Sequence, residues 1–202
     1  SVTFKPAKDA GAAYLYSGQL AINGPQLSAQ LHKFAGEAKG DYFGYSVAAG
    51  SNLDQDAVSE ISIGAYKHDP LDSVTDKPRT DAGSVYVYRS TSPYDDTSLV
   101  KRLDGTAKGD NFGFAQAAIK NGQDAFADLL VGSPRADVKI SNKKYSDAGQ
   151  VSLFDDTTGA ATYTIHAVIT QTGARFGNTV AAAGDVNAAD GVDFVVGAPK
   201  AN

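Results

Sequence analysis

The sequence predicts an all-β protein assembled from like modules, and three observations predict it. A unit of aromatic-glycine pair, acidic loop and small-residue stop occurs three times, at 43–65 (FGYSVAAGSNLDQDAVSEISIGA), 112–134 (FGFAQAAIKNGQDAFADLLVGSP) and 176–199 (FGNTVAAAGDVNAADGVDFVVGAP). Short runs of alternating β-formers separate glycine- and aspartate-rich turns, and 21 glycines supply the turns such a fold needs. No stretch keeps helical periodicity for more than about a turn. Self-similarity of this kind sets the architecture before any single residue is read. The spacing from Phe to closing Gly is 21 residues in the first unit (43 to 64), 20 in the second (112 to 132) and 21 in the third (176 to 197).

The repeat resembles the FG-GAP repeat of integrin alpha-chain propellers and related bacterial and fungal proteins. Further marks carry the resemblance over nearly the whole chain. AKGDYFG at 38–44 matches AKGDNFG at 107–113, and Asp9-Ala10-Gly11, Asp81-Ala82-Gly83 and Asp147-Ala148-Gly149 each precede a strand-like run. Modules recurring about every 67 residues, each with room for four antiparallel strands, fit propeller blades. The expected units are 34–103, 104–166, and a third blade split between 167–202 and 1–33.

Taken in order, 12–16 (AAYLY) reads as a strand between Gly11 and Gly18. The first full module predicts strands at 45–49, 61–65, 84–89 and 98–103, with a long polar loop over 66–80. In SVYVYR at 84–89 the valines take one face and the tyrosines the other. The second module predicts strands at 114–119, 129–131, 150–154 and 162–167, with a hairpin turn at 155–159. Phe and Gly of each pair read as assembly residues: the ring fills the gap between blades, and the glycine permits close backbone approach.

A formal charge of −5 argues against a nucleic-acid partner. There is no cysteine, so neither a disulfide framework nor thiolate chemistry is available. No apolar run approaches a membrane span. Methionine is absent even at position 1, which reads as a processed or excerpted chain; secretion after removal of a leader is the expectation.

The acidic loops are the candidate metal sites. The first offers Asn52, Asp54, Asp56 and Glu60, with Val58 contributing a backbone carbonyl. Calcium takes about six to eight oxygens, and alternate loop residues can turn their side chains onto one centre. The last loop offers Asp185, Asn187 and Asp193; Ala189 stands where the family usually has an acid, so Asp190 or water fills that place. In the middle loop, 120–128, Lys120 holds the opening position and Gly122 the third, and the ammonium beside Asp124 and Asp128 replaces a cation. Two structural calcium ions are expected, with none in that loop. Taken singly, any such turn reads first as a solvated Asx-turn; the spacing, the flanking Phe-Gly and Gly-Ala-Pro and the recurrence reverse that in favour of calcium.

No catalytic constellation is legible. His32, His68 and His166 lack ligand spacing and read as surface or edge residues, and no nucleophile elbow, phosphate loop or His-Glu-x-x-His helix occurs. Lys39-Gly40-Asp41 and Lys108-Gly109-Asp110 look like adhesive tripeptides, but their register with the Phe-Gly pair points to a structural role. The resemblance implies an extracellular, secreted or cell-surface, non-enzymatic module for adhesion. Its protein or carbohydrate ligand would bind opposite the calcium loops, near 66–80 and 136–146, which carry Tyr66, His68, Arg79, Arg135, Lys143 and Tyr145. The alternatives are a non-catalytic part of a secreted hydrolase or lyase, and a self-assembling subunit. Three blades are fewer than the four or so that close a ring, so a homo-oligomer or the remainder of a larger propeller is expected to complete it.

Overall fold

The computed structural model describes residues 7–17, 30–53, 56, 58–91, 98–119, 127–154, 161–168, 170–188 and 192–202. These residues form fourteen strands and, among them, no helix long and apolar enough to cross a membrane. In chain order the strands are β1 (Ala12–Tyr16), β2 (Gln30–Ala35), β3 (Ser46–Ser51), β4 (Glu60–Ala65), β5 (Ser84–Arg89), β6 (Leu99–Asp104) and β7 (Ala115–Ile119). They continue with β8 (Asp128–Ser133), β9 (Val138–Ile140), β10 (Lys143–Tyr145), β11 (Gln150–Phe154), β12 (Ala161–Ile165), β13 (Thr179–Gly184) and β14 (Asp193–Gly197).

Two four-stranded antiparallel sheets, β3-β4-β5-β6 and β7-β8-β11-β12, form propeller-like blades. β1-β2 and β13-β14 are two-stranded sheets on either side of them. Alternation decides what each strand buries. Val85 and Val87 enter a core with Leu53, Leu103, Phe112, Leu129, Val131 and Phe154, whereas Tyr86 and Tyr88 enter another with Phe34, Phe43, Ile63 and Ala65. Val85 and Val87 therefore fill one of the two gaps flanking the blade, and Tyr86 and Tyr88 the other.

The repeated marks turn out to be blade-to-blade fasteners. The amides of Phe43, Phe112 and Phe176 donate to the carbonyls of Ala10, Ala82 and Ala148, at 2.9, 2.8 and 2.9 Å. Gly11, Gly83 and Gly149 all sit near φ +86°, where a Cβ would stand 2.1 Å from the Phe carbonyl oxygen of the next unit. Only glycine accepts both that dihedral and that approach. The preceding Asp9, Asp81 and Asp147 also adopt left-handed φ, which short polar side chains tolerate best.

Two elements escaped the sequence reading. The loop 136–146 contains the hairpin β9-β10, paired Val138↔Tyr145 to Ile140↔Lys143 around a two-residue turn at Ser141, φ +53°. β2 was not foreseen either; its single deeply buried residue is Phe34. The hairpin turn expected at 155–159 lies outside the described residues.

Candidate functional site

β3 and β4 run antiparallel, so one end of the sheet carries the acidic loop and the other carries Tyr45 and Tyr66. At the loop end, Asn52 and Glu60 are fully buried. The Leu53 amide donates to Glu60 Oε2 at 2.6 Å, and the Val58 amide donates to Asp56 Oδ1 at 2.6 Å. The Asn52 side-chain amide donates to the Asp56 carbonyl, which leaves Asn52 Oδ1 enclosed without a hydrogen-bond partner. An orphaned buried oxygen costs about 1–3 kcal/mol. Beside a buried carboxylate it is the kind of donor a hard cation takes. Arg89 stands 3.8 Å from the Asp56 carboxylate at the rim.

The last loop repeats the pattern in a more open setting. The Val186 amide donates to Asp193 Oδ2 at 2.8 Å, spanning seven residues as the Leu53–Glu60 bond does. Asn187 Nδ2 donates to Asp193 Oδ1 at 3.1 Å, and its backbone amide donates to Asp185 Oδ1 at 3.3 Å. Asn52, Asp56, Val58 and Glu60 thus gather at one turn, and Asp185, Asn187 and Asp193 at the other. Asp54 and Asp190 lie outside the described residues, as do Lys120, Gly122 and Asp124 of the middle loop. Among the described residues no three His, Asp or Glu side chains converge on one point.

The missing residue of the middle unit has a structural counterpart. Where β3 approaches its loop, pairing skips Gly50, from Ala49↔Ile61 to Ser51↔Glu60; where β13 does so it skips Ala183. β7 runs without interruption through Ala118↔Leu129 to Ile119↔Asp128. The deleted position is therefore a β-bulge, the device that bends a strand end and re-aims the loop after it. In the middle unit both the bulge and the opening ligand differ. Asp128 is still buried, and the first loop is tied to this region by the Asn52 amide donating to the Ala127 carbonyl at 3.1 Å.

At the opposite end the structure assembles a cluster that sequence reasoning missed. The rings of Tyr42, Tyr45, Tyr66 and Phe114 meet across the junction of the two blades, with centroids 4.5–5.5 Å apart. Tyr42 and Tyr45 are 40% and 51% exposed, and Lys67 Nζ lies over the Tyr42 ring, 5.9 Å from its centroid. Burial, then the neighbouring Tyr45, Tyr42 and Asp81, pushes the Tyr66 hydroxyl above its ordinary pKa, so it stays a neutral donor. The signal was in the sequence: aromatic residues flank the Phe-Gly pair as Tyr42 and Tyr45, and Phe114 recurs one unit later. Of the residues expected on this face, Tyr66 joins the cluster. Arg79 pairs with Asp72 at 3.7 Å, Arg135 with Asp147 at 3.5 Å, and Lys143 lies over Tyr145 at 4.7 Å.

His68 corrects the expectation of a surface histidine. It is 8% exposed, and its Nδ1 sits 3.0 Å from Asp41 Oδ2, itself buried and accepting the Ala38 amide. Asp41, the acid of the first Lys-Gly-Asp, is thus a structural residue. In the unit of its counterpart Asp110, the place of His68 in the repeat is taken by Ala136, which has no imidazole. Burial, reinforced by Asp137 and Asp147, raises the Asp110 carboxyl pKa to about 6. His32 is packed edge-on to Phe34, and His166 is exposed.

No protein-family profile matches the chain. Its sequence is similar to integrin alpha chains: 33% identical over 114 residues to integrin alpha-5 of Xenopus laevis, covering 56% of this chain and 10% of that protein. It is 30% identical over 138 residues to integrin alpha-PS5 of Drosophila melanogaster, covering 67% and 12%. It is 27% identical over 203 aligned positions to Drosophila melanogaster integrin alpha-PS3, covering 96% and 16%. The chain spans 10–16% of the length of these relatives. By its repeats, its four-stranded blades and these matches, the chain is an integrin alpha-like region of the FG-GAP propeller type.

Proposed function

We propose that the chain is an extracellular recognition module of the adhesion type, without chemistry of its own, whose acidic loops are held by calcium. The carrying observation is the division of labour along β3 and β4. Buried oxygens of Asn52 and Glu60 gather at one end, and at the other a four-ring cluster whose Tyr42 and Tyr45 are exposed. A hard cation at the first end neutralises carboxylates that otherwise repel, and so fixes the blade that displays the rings. Asn52, Asp54, Asp56, Glu60 and the Val58 carbonyl would hold one ion; Asp185, Asn187, Asp190 and Asp193 would hold a second. The middle loop takes none.

The ligand of this reading is a protein or carbohydrate. Stacked tyrosines with Lys67 beside them offer flat apolar faces, hydroxyls and a cation, which suits sugar rings and mixed peptide surfaces. Sensitivity to calcium would confine full stability to calcium-rich surroundings, in keeping with a secreted or cell-surface location. An array of matrix proteins and glycans, probed with the chain in millimolar calcium, tests the reading. Capture that falls at least fivefold with Tyr45→Ala, whose ring is half exposed, is expected. Capture unchanged by that substitution, or none at all, counts against it.

A further inference from the structure

A groove of about 550 Å³ lies between β1 and the β3-β4 pair. It is walled by Ala13 and Leu15 of β1, Phe34 of β2, Val47 of β3, and Ile61 and Ile63 of β4. Val47 is 61% exposed there. Among the described residues β1 pairs only with β2, and β14 only with β13, so none of those residues pairs with the other edge of either strand.

The chain contains two finished versions of this junction, and they show what fills it. Gly44, Gly113 and Gly177 each lie against the carbonyl that opens a strand of the preceding unit: Ala12, Ser84 and Gln150. By that equivalence β1 corresponds to β5 and β11, the third strands of the complete blades, and β2 to β6 and β12. In those blades the third strand pairs with a second strand, β4 or β8. The strands standing in that relation to β1 would be a hairpin of the β13-β14 kind.

The β13-β14 hairpin carries the matching features unsatisfied. Leu130, on the second strand of a complete blade, is fully buried and packs in a cluster with Val180 of the next unit. The residue equivalent to Leu130 is Val195, 60% exposed, and the residue equivalent to Val180 is Val47. Gly64 and Gly132 meet the carbonyls of Gly113 and Gly177, where a Cβ would come within 2.3 and 2.1 Å. At Gly197, their counterpart, the three nearest atoms all belong to Thr179 of its own hairpin, and no carbonyl of a further unit is among them.

We propose that a second copy of this chain docks its β13-β14 hairpin into the groove, β14 pairing antiparallel with β1. The register follows from Val87↔Ser62 and Leu153↔Leu130, and sets Leu15 opposite Val195 of the second copy. Val195 then covers Val47, and Gly197 meets the Gly44 carbonyl. Groove and hairpin are different surfaces of one copy, so the contact is head-to-tail, and two copies can return on each other to make a ring of about six blades. This goes beyond the recognition role and does not rest on it.

The chain has no cysteine, so a Leu15→Cys/Val195→Cys double variant tests the register cleanly. Mild oxidation is expected to give reducible species of twice the 20.9 kDa chain mass or its multiples, while each single variant gives less than a tenth as much. Native mass measurement of the unsubstituted chain should show the same dimer. Gly197→Ala should abolish it while leaving the strand signature in circular dichroism unchanged, since within one chain the atom nearest the added methyl is the Thr179 hydroxyl, which can rotate away. A chain monomeric at every concentration, a disulfide closed within one chain, or a dimer indifferent to Gly197→Ala would each overturn the proposal.

Discussion

Gly132→Ala is the sharpest probe of how the blades are spaced. Gly132 lies in β8 with an ordinary strand backbone, so its lack of a side chain is not required by φ. A methyl there would sit 2.1 Å from the Gly177 carbonyl oxygen and 3.0 Å from its carbon, both backbone atoms of the next unit. Carbon–oxygen contacts settle at about 3.3 Å or more, so the two units must part by about 1 Å locally. A gap of that size forfeits about a quarter to a half of each dispersion contact across it, and it falls on the cluster of Ile119, Leu130, Val151, Phe176, Val180, Phe194 and Val196. Overpacking costs about 1–3 kcal/mol or more, while replacing glycine returns about 0.4–1 kcal/mol through the unfolded chain. A net loss of about 2 kcal/mol should lower Tm by about 4–8 °C for a chain of this size. Urea unfolding followed by circular dichroism should show the midpoint falling with the slope unchanged. A variant as stable as the parent, or more so, would refute the close-packed junction.

Two other substitutions examine the buried acids. His68→Ala removes the imidazole partner of Asp41 and should cost about 2–3 kcal/mol in urea unfolding at neutral pH; a change under about 0.5 kcal/mol would mean the pair is idle. Asp110 has a folded-state pKa of about 6 against an ordinary 3.8, so between those values the folded chain holds the extra proton and stability falls as pH rises. Above pH 6 the full penalty stands, up to about 3 kcal/mol at 1.36 kcal/mol per unit. Asp110→Asn should therefore stabilise the chain at pH 7.5 and not at pH 4, and equal effects at both values would contradict the assignment.

The blades were legible because their signals are local and repeated. β5 and β11 emerged with the bounds expected, since each alternates cleanly between stops, and the split of Val85 and Val87 from Tyr86 and Tyr88 follows from the pleat alone. β4 and β8 each begin one residue earlier than read, because Glu60 and Asp128 are acids that pair within a strand while closing a loop. The β9-β10 hairpin was hidden by its lysines: Lys139, Lys143 and Lys144 look like solvated loop, and only pairing across Ser141 makes them strand. At the site, loop spacing singled out Asn52 and Glu60 but said nothing of their complete burial. Two features depended on chain segments meeting at long range. His68 reaches Asp41 from 27 residues away, and the aromatic cluster joins Tyr45 to Phe114 across two blades. The one-residue deletion was visible in the sequence, but its meaning as a lost bulge needed the pairing register.

Two of the three acidic turns are, in our proposal, calcium cages. Isothermal titration of the chelator-stripped chain with calcium measures it directly. Two ions per chain are expected, with dissociation constants of about 10⁻⁴ to 10⁻³ M as extracellular modules have. Tm should rise by about 3–6 °C per site at tenfold those concentrations, from about 1.4 kcal/mol each. No binding heat and no change in Tm, or a third ion of equal affinity in the 120–128 loop, would contradict the proposal.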